Sequence, residues 1–135
     1  MVYLWVAIGG ALGSLARFWL GNAVVLLAGT EFPWGTLLIN VLGSFVISFF
    51  TVLTGSSQRF PLPYEARAFV TVGICGGFTT FSSFSLQTIE LARTGQAGRA
   101  GLYVAASVFL CLAGCALGFV SAAAVNHSLG AARQD

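Results

Sequence analysis

The residues best equipped for chemistry in this chain are polar side chains set into apolar runs at helical spacing. Thr36, Asn40, Ser44 and Ser48 recur every four residues, which places them on one slowly winding stripe of a helix. The serines suit hydrogen bonding between helices. Asn40 differs, because its amide has four bonding positions to satisfy, so in an apolar setting it either finds partners or lines a polar pathway. The densest signal is Gly-Gly-Phe-Thr-Thr-Phe-Ser-Ser-Phe, from Gly76 to Phe84. Two glycines followed by Thr79, Thr80, Ser82 and Ser83 are poor material for a continuous helix. A break there frees backbone carbonyls and amides, which an apolar medium tolerates only beside a cavity or a bound ion. The plainer alternative is a kink healed by hydroxyls bonding back to the backbone. Phe81 and Phe84 stand three apart and share a helix face. Such residues ordinarily pack, but beside a polar break their ring edges, which carry positive partial charge, can face an anion. Tyr103, Ser107 and Cys111 form one more stripe at a spacing of four.

Enzyme chemistry finds little to work with. His127 is the only histidine, so neither a histidine-based triad nor a multi-histidine metal site is available. Cys75, Cys111 and Cys115 lack zinc-ligand spacing and read as small buried residues. Glu31, Glu65 and Glu90 stand at the edges of the apolar runs. A proton-coupled exporter of cationic drugs wants a central carboxylate, and the runs hold none. No phosphate-binding or dinucleotide fingerprint is present.

The elements that position these residues follow from the charge distribution. Of 135 residues, 57% are hydrophobic and 7% charged, with a mean hydropathy of +0.89, whereas a soluble domain carries about 25% charged residues. So few charges cannot wet a globule of this size, which excludes an ordinary soluble enzyme and a disordered chain. Six arginines against four acids, with no lysine, cannot make a phosphate-tracking patch, which excludes nucleic acid as a partner. Residues 32–58, 68–89 and 100–132 contain no Asp, Glu, Lys or Arg, and each exceeds the ~20 residues a helix needs to cross the hydrocarbon. The first 30 residues add an apolar segment interrupted only by Arg17. The expectation is an all-α integral membrane protein of one domain, residues 1–135, with spans near 2–28, 34–54, 67–91 and 100–125. The first span has no basic region before it and no small-residue cleavage site after a short core, so it reads as a retained helix. Strict alternation in ten-residue segments, the mark of a membrane β-barrel, is absent.

Two further patterns bear on assembly. Gly9 and Gly13, Gly73 and Gly77, and Gly114 and Gly118 are small-xxx-small pairs that let helix backbones approach closely. Orientation signals are weak. Arg59, Arg67 and Arg133 would share one side, Arg93 and Arg99 the other, which is no positive-inside bias. Either weaker cues orient the chain, or both orientations occur and oppositely inserted copies pair. Arg17 either snorkels to the interface or concentrates anions in an aqueous vestibule. On the residues alone, a pore, a small four-helix multidrug exporter and a non-transporting packing subunit all remain open.

The segments Gly9–Phe18, Gly35–Phe45 and Gly76–Phe84 closely resemble signatures of the Fluc (CrcB) family of fluoride channels, and the likeness extends to length, span number and motif order. The resemblance implies an antiparallel dual-topology homodimer in the bacterial cytoplasmic membrane, with two fluoride pores and a structural sodium ion at its centre. It implies no organic cofactor. Asn40, Phe81 and Phe84 would line the fluoride path, Thr36, Ser82 and Ser83 would add hydroxyls, and Tyr103 and Ser107 would belong to the pore wall. Arg17 would sit at the vestibule, and backbone carbonyls of Gly76 and Thr79 would hold the sodium. The chain departs from common family residues at Ser83, Gln87 and Cys111, which bears on pore ends and conductance. The implied activity is passive export: a narrow, donor-rich path replaces fluoride's water and excludes larger anions.

Overall fold

The computed structural model describes residues 1–55 and 60–131, and every regular element among them is helical. Four helical segments are long and apolar enough to cross a membrane: Val2–Ala28, Trp34–Leu53, Tyr64–Arg93 and Ala97–Ser128. The last helix itself continues to Ala131. It begins before and ends after the expected 100–125, because the alanine-rich run from Ser121 sustains helix where hydropathy fades. Two turns need the left-handed backbone that glycine adopts freely. Gly29 (φ 77°) ends the first helix, its N–H closing on Val25 O. Gly95 (φ 78°) reverses the chain before the last helix, with Gln96 N–H bonded to Leu91 O, a glycine C-terminal cap.

Packing is interleaved: the first helix pairs with the start of the third span, and the second helix with the last. Glycine makes both crossings close. A methyl group on Gly13 would overlap the Ile74 carbonyl, and one on Gly77 would overlap the Gly10 carbonyl. Gly114 and Gly118 lie likewise against the carbonyls of Val41 and Phe45 on the second helix. All three glycine pairs therefore lie at helix crossings within one chain, where backbone approach replaces the hydrophobic drive that lipid cannot supply.

The third span is built in pieces. An α-helical turn (Tyr64–Ala68) widens into a π-helical stretch (Phe69–Cys75), tightens to Gly76–Phe78, then opens at Thr79 and Thr80 before the helix Phe81–Arg93. The break matches expectation. The π stretch does not follow from the sequence pattern; it lies where Gly73 meets Gly9, and Thr71 Oγ1 donates to Arg67 O within it.

Little of the chain is enclosed. Only 6% of the first span's most apolar window and 22% of the second's is buried. The accessible surface of 8468 Å² exceeds the about 6,700 Å² of a compact soluble monomer of this mass. Large apolar side chains, Phe81, Phe109 and Trp19 among them, are left for lipid or for another protein. The enclosed core is small: Tyr103, fully buried, with Leu37, Leu91 and Ala100, and Phe32, Val41 and Phe84 packed against it.

Candidate functional site

The break is a two-residue extended bridge in mid-span. Thr79 (ψ 158°) and Thr80 (φ −153°, ψ 109°) leave helical geometry between Phe78 and Phe81. Three side-chain devices hold it. Thr79 Oγ1 donates back to Cys75 O at 3.0 Å, ending the incoming helix. Thr80 Oγ1 accepts from Ser83 N–H at 3.2 Å and so caps the outgoing helix, the role hydroxyl residues commonly play at this position. Its hydroxyl also meets those of Ser82 (3.2 Å) and Ser83 (3.0 Å).

The third device is Asn40. Its Nδ2 donates to Thr80 O at 3.1 Å, and its Oδ1 accepts from Thr80 N–H at 2.8 Å. The amide thus closes on both backbone polar groups that the break exposes at Thr80, as a neighbouring strand would. Neither sequence alternative for Asn40 stands alone, since the residue pairs and also lines a cavity. Ser44, one turn on, donates to Asn40 O at 2.7 Å, so that serine is occupied within its own helix.

Two cavities flank the break, and Thr80 borders both. The larger, about 910 Å³, is lined by the charged Arg17, Glu31, Glu90 and Arg99 and by the polar Thr36, Thr80, Ser83 and Gln87. Arg17 is half-buried in its wall. Glu31 is bonded to Arg99 at 3.3 Å, the one ion pair among the described residues. The smaller cavity, about 480 Å³, holds no charged side chain; Asn40, Gly76, Thr79, Phe81, Phe84, Ser107 and Cys111 are among its lining. Ser107 is 7% exposed, and its Oγ has no hydrogen-bond partner among the described residues. The helix Phe81–Arg93 begins at this partition, so its positive end lies in mid-span.

An aromatic series runs along the partition. Phe81 and Phe84 ring centroids are 5.3 Å apart, Phe84 and Tyr103 5.1 Å, and Tyr103 and Phe32 5.4 Å. Tyr103 O–H donates to Gln87 Oε1 at 2.9 Å, and the Thr36 hydroxyl lies beside it. Tyr103 borders neither cavity; it stands buried behind the wall, which differs from its expected place in the pore wall. Ser82 likewise borders neither, pointing its hydroxyl at Thr80.

The structure therefore brings Arg17, Thr36 and Ser83 to one cavity and Asn40, Gly76, Thr79, Phe81, Phe84 and Ser107 to the other. Sequence reasoning gave no separate role to Thr80, which joins them. Its signal was a threonine three residues before a serine at a helix start. Ser14 and Asn22 on the larger cavity wall were also missed, and Gln87, noted in the sequence only as a departure bearing on the pore ends, lines that wall too. Gln87 stands four residues after Ser83, on the same helix face.

Fold and site define a class: a small multi-pass membrane protein whose polar groups converge on a helix break and two cavities. The chain belongs to the CrcB family: residues 4–119 match the family described as CrcB-like protein, Camphor Resistance (CrcB). It is similar to proteins named fluoride-specific ion channel FluC. That of Methylocella silvestris is 56% identical over 97% of this chain and the whole relative. Those of Rhodospirillum rubrum and Opitutus terrae are 51% and 50% identical over 96% of this chain, covering 100% and 98% of the relatives.

Proposed function

We propose that the chain is a fluoride-selective channel that lets the anion leave down its gradient across the bacterial cytoplasmic membrane. The observation that carries the reading is the broken third span clasped by Asn40, with Thr80 bordering both cavities. Names shared by relatives at 50–56% identity over nearly the full chain supply the ion.

Fluoride is small and holds its water strongly, so a pore must replace that water with donors. Arg17 raises the anion concentration in the wide cavity. Thr36, Thr80 and Ser83 offer hydroxyls in its wall. Beyond the partition, Asn40 retains one amide N–H besides the one spent on Thr80, Ser107 offers its free hydroxyl, and Phe81 and Phe84 offer ring edges. These donors are neutral apart from Arg17, which allows the anion to bind and still leave.

The exposed Phe81 (78%) and the apolar cavity at the break support an antiparallel homodimer, in which a second chain covers this face. Arg67 against Arg93 and Arg99 keeps the two ends similar in charge; Arg59 and Arg133, which entered the sequence count, lie outside the described residues. A structural sodium ion at the centre fits the donor set. The incoming helix ends at Phe78, so its last carbonyls lack partners in the ladder. Gly76 is exposed there, and Thr79 turns its carbonyl out of the helix. Among the described residues no group of three His, Cys, Asp or Glu offers another metal site. Gly76 and Thr79 would hold the ion by backbone oxygens, the donors hard cations take, and the ion would tie two broken helices together.

The test is efflux from liposomes loaded with fluoride or chloride, read by ion-selective electrodes. Rapid fluoride release without chloride release is expected. Chloride leaving as fast as fluoride, or proton-dependent loss of a cationic dye, would replace this reading.

A further inference from the structure

We infer that Glu90 sets how strongly the larger cavity draws in fluoride: its carboxylate opposes the field of Arg17 and holds anion capture below what the arginine alone would give. The effect on flux rests on the proposed function, the charge balance on this chain's own residues.

Four of the chain's ten formal charges, Arg17, Glu31, Glu90 and Arg99, line that one cavity, and none lines the smaller. By count the cavity is neutral, so its pull on an anion depends on which charges cancel. Arg99 is cancelled: its Nη2 lies 3.3 Å from Glu31 Oε2, and its Nη1 donates to Gln96 Oε1 at 2.8 Å. No other ion pair forms among the described residues. Arg17 and Glu90 therefore share the cavity with no opposite charge within 4.0 Å of either. Arg93, three residues beyond Glu90, makes no ion pair with it and does not line the cavity.

The fold gives the Glu90 carboxylate no structural task. It stands in the last turn of the helix Phe81–Arg93, where a negative side chain opposes the helix dipole. Its backbone carbonyl accepts from Thr94 N–H and Thr94 Oγ1, each at 3.0 Å. The carboxylate itself is exposed and bonds to no described residue. A group that opposes its own helix and holds nothing in place acts through its charge. Arg17 is half-buried in the wall, where low-dielectric surroundings weaken screening. Glu90, facing water, is screened more, so it subtracts from the arginine without cancelling it. The consequence suits conduction, which needs an entrance that attracts the ion and still releases it.

The experiment places a thiol on the same wall by Asn22→Cys, in the full chain in lipid nanodiscs, with Val25→Cys as a second probe position on that wall. Modification by an anionic and a cationic methanethiosulfonate is followed at the introduced position by mass spectrometry, so the native cysteines do not enter. At about 10 mM salt, where charges are felt over about 30 Å, Glu90→Gln should raise the ratio of anionic to cationic rate about threefold or more. Glu90→Asp should keep the original ratio, and the gain should vanish at about 1 M salt. In fluoride-loaded liposomes without the added thiol, Glu90→Gln should raise fluoride efflux at low ionic strength, and an impermeant salt should abolish the difference. An unchanged ratio in Glu90→Gln, an equal shift in Glu90→Asp, or a shift that survives high salt overturns the charge opposition. A shifted ratio with efflux unmoved overturns its role in fluoride capture. Should unmodified protein carry no fluoride, the channel reading fails separately, and the thiol ratio alone decides the charge balance.

Discussion

At the scale of single residues, the question is which side chains meet the ion and which hold others in place. Phe81 is 78% exposed in the single chain, and Phe84 packs against the Tyr103 core. Phe81→Ile and Phe84→Ile preserve much of the volume, so the packing cost should stay below about 1.5 kcal/mol. Isoleucine has no positive ring edge, however. Most of the fluoride flux should disappear while size-exclusion elution is unchanged; near-normal flux would reassign both rings to packing. Asn40 serves two purposes, and Asn40→Asp separates them. The carboxylate can still accept from Thr80 N–H but now opposes Thr80 O and any anion nearby. Fluoride flux should be lost through repulsion in a low-dielectric site, and a drop in thermal stability should accompany it, because half of the clasp is gone. Unchanged melting with lost flux would make Asn40 a donor to the ion alone.

Among elements, the two adjacent glycines of the break prove to do different things. A methyl on Gly77 would run into the Gly10 carbonyl, whereas on Gly76 its nearest contact is Thr71 O at 4.0 Å. Gly77→Ala should therefore lower the yield of folded protein and its melting temperature. Gly76→Ala should fold normally as a protomer and show its defect, if the sodium reading holds, in dimer stability measured by crosslinking. Equal behaviour of the two variants would undo this distinction. Such differences show where sequence stopped being informative. The spans were legible because the cost of charge in lipid is large and local, and so was the break at Thr79 and Thr80, where glycines and hydroxyls cluster. Glycine pairs announced close crossings without naming partners. Gly76 and Gly77 look alike in the string, and only the path of the first helix tells them apart. The π-helical stretch had no signal, because it answers to Gly73 meeting Gly9 across the crossing. The family resemblance implied a place for Tyr103 in the pore wall, and what no resemblance of motifs conveys is that Leu37, Leu91 and Ala100 enclose it.

For the whole molecule, the low burial of every span leaves the chain dependent on its surroundings. Two lysines added to the 93–99 loop should bias insertion so that this loop faces the cytoplasm. A cysteine placed in the loop should then shift from labelling on both sides of the membrane to labelling on one. Labelling from a single side in the unmodified protein would exclude the antiparallel dimer. Exchange into a large organic cation during purification should weaken the dimer if sodium ties it together, and light scattering or crosslinking yield reads that directly. Undiminished dimer and flux after thorough exchange would remove the ion from the account.

The interleaved packing also sets a clock for biosynthesis. Ser14 and Gly77, which meet at the first crossing, are 63 residues apart, and the partners Asn40 and Thr80 are 40 apart. At about 5–20 residues per second on the ribosome, the first helix spends several seconds in the membrane before its glycine face is met. The second waits similarly for Gly114 and Gly118. A nascent chain therefore holds two helices with open backbone grooves while synthesis continues, a state visible to membrane proteases and insertion chaperones. Slowing translation after the second span should lengthen that exposure and reduce yield, even though no residue of the finished protein has changed.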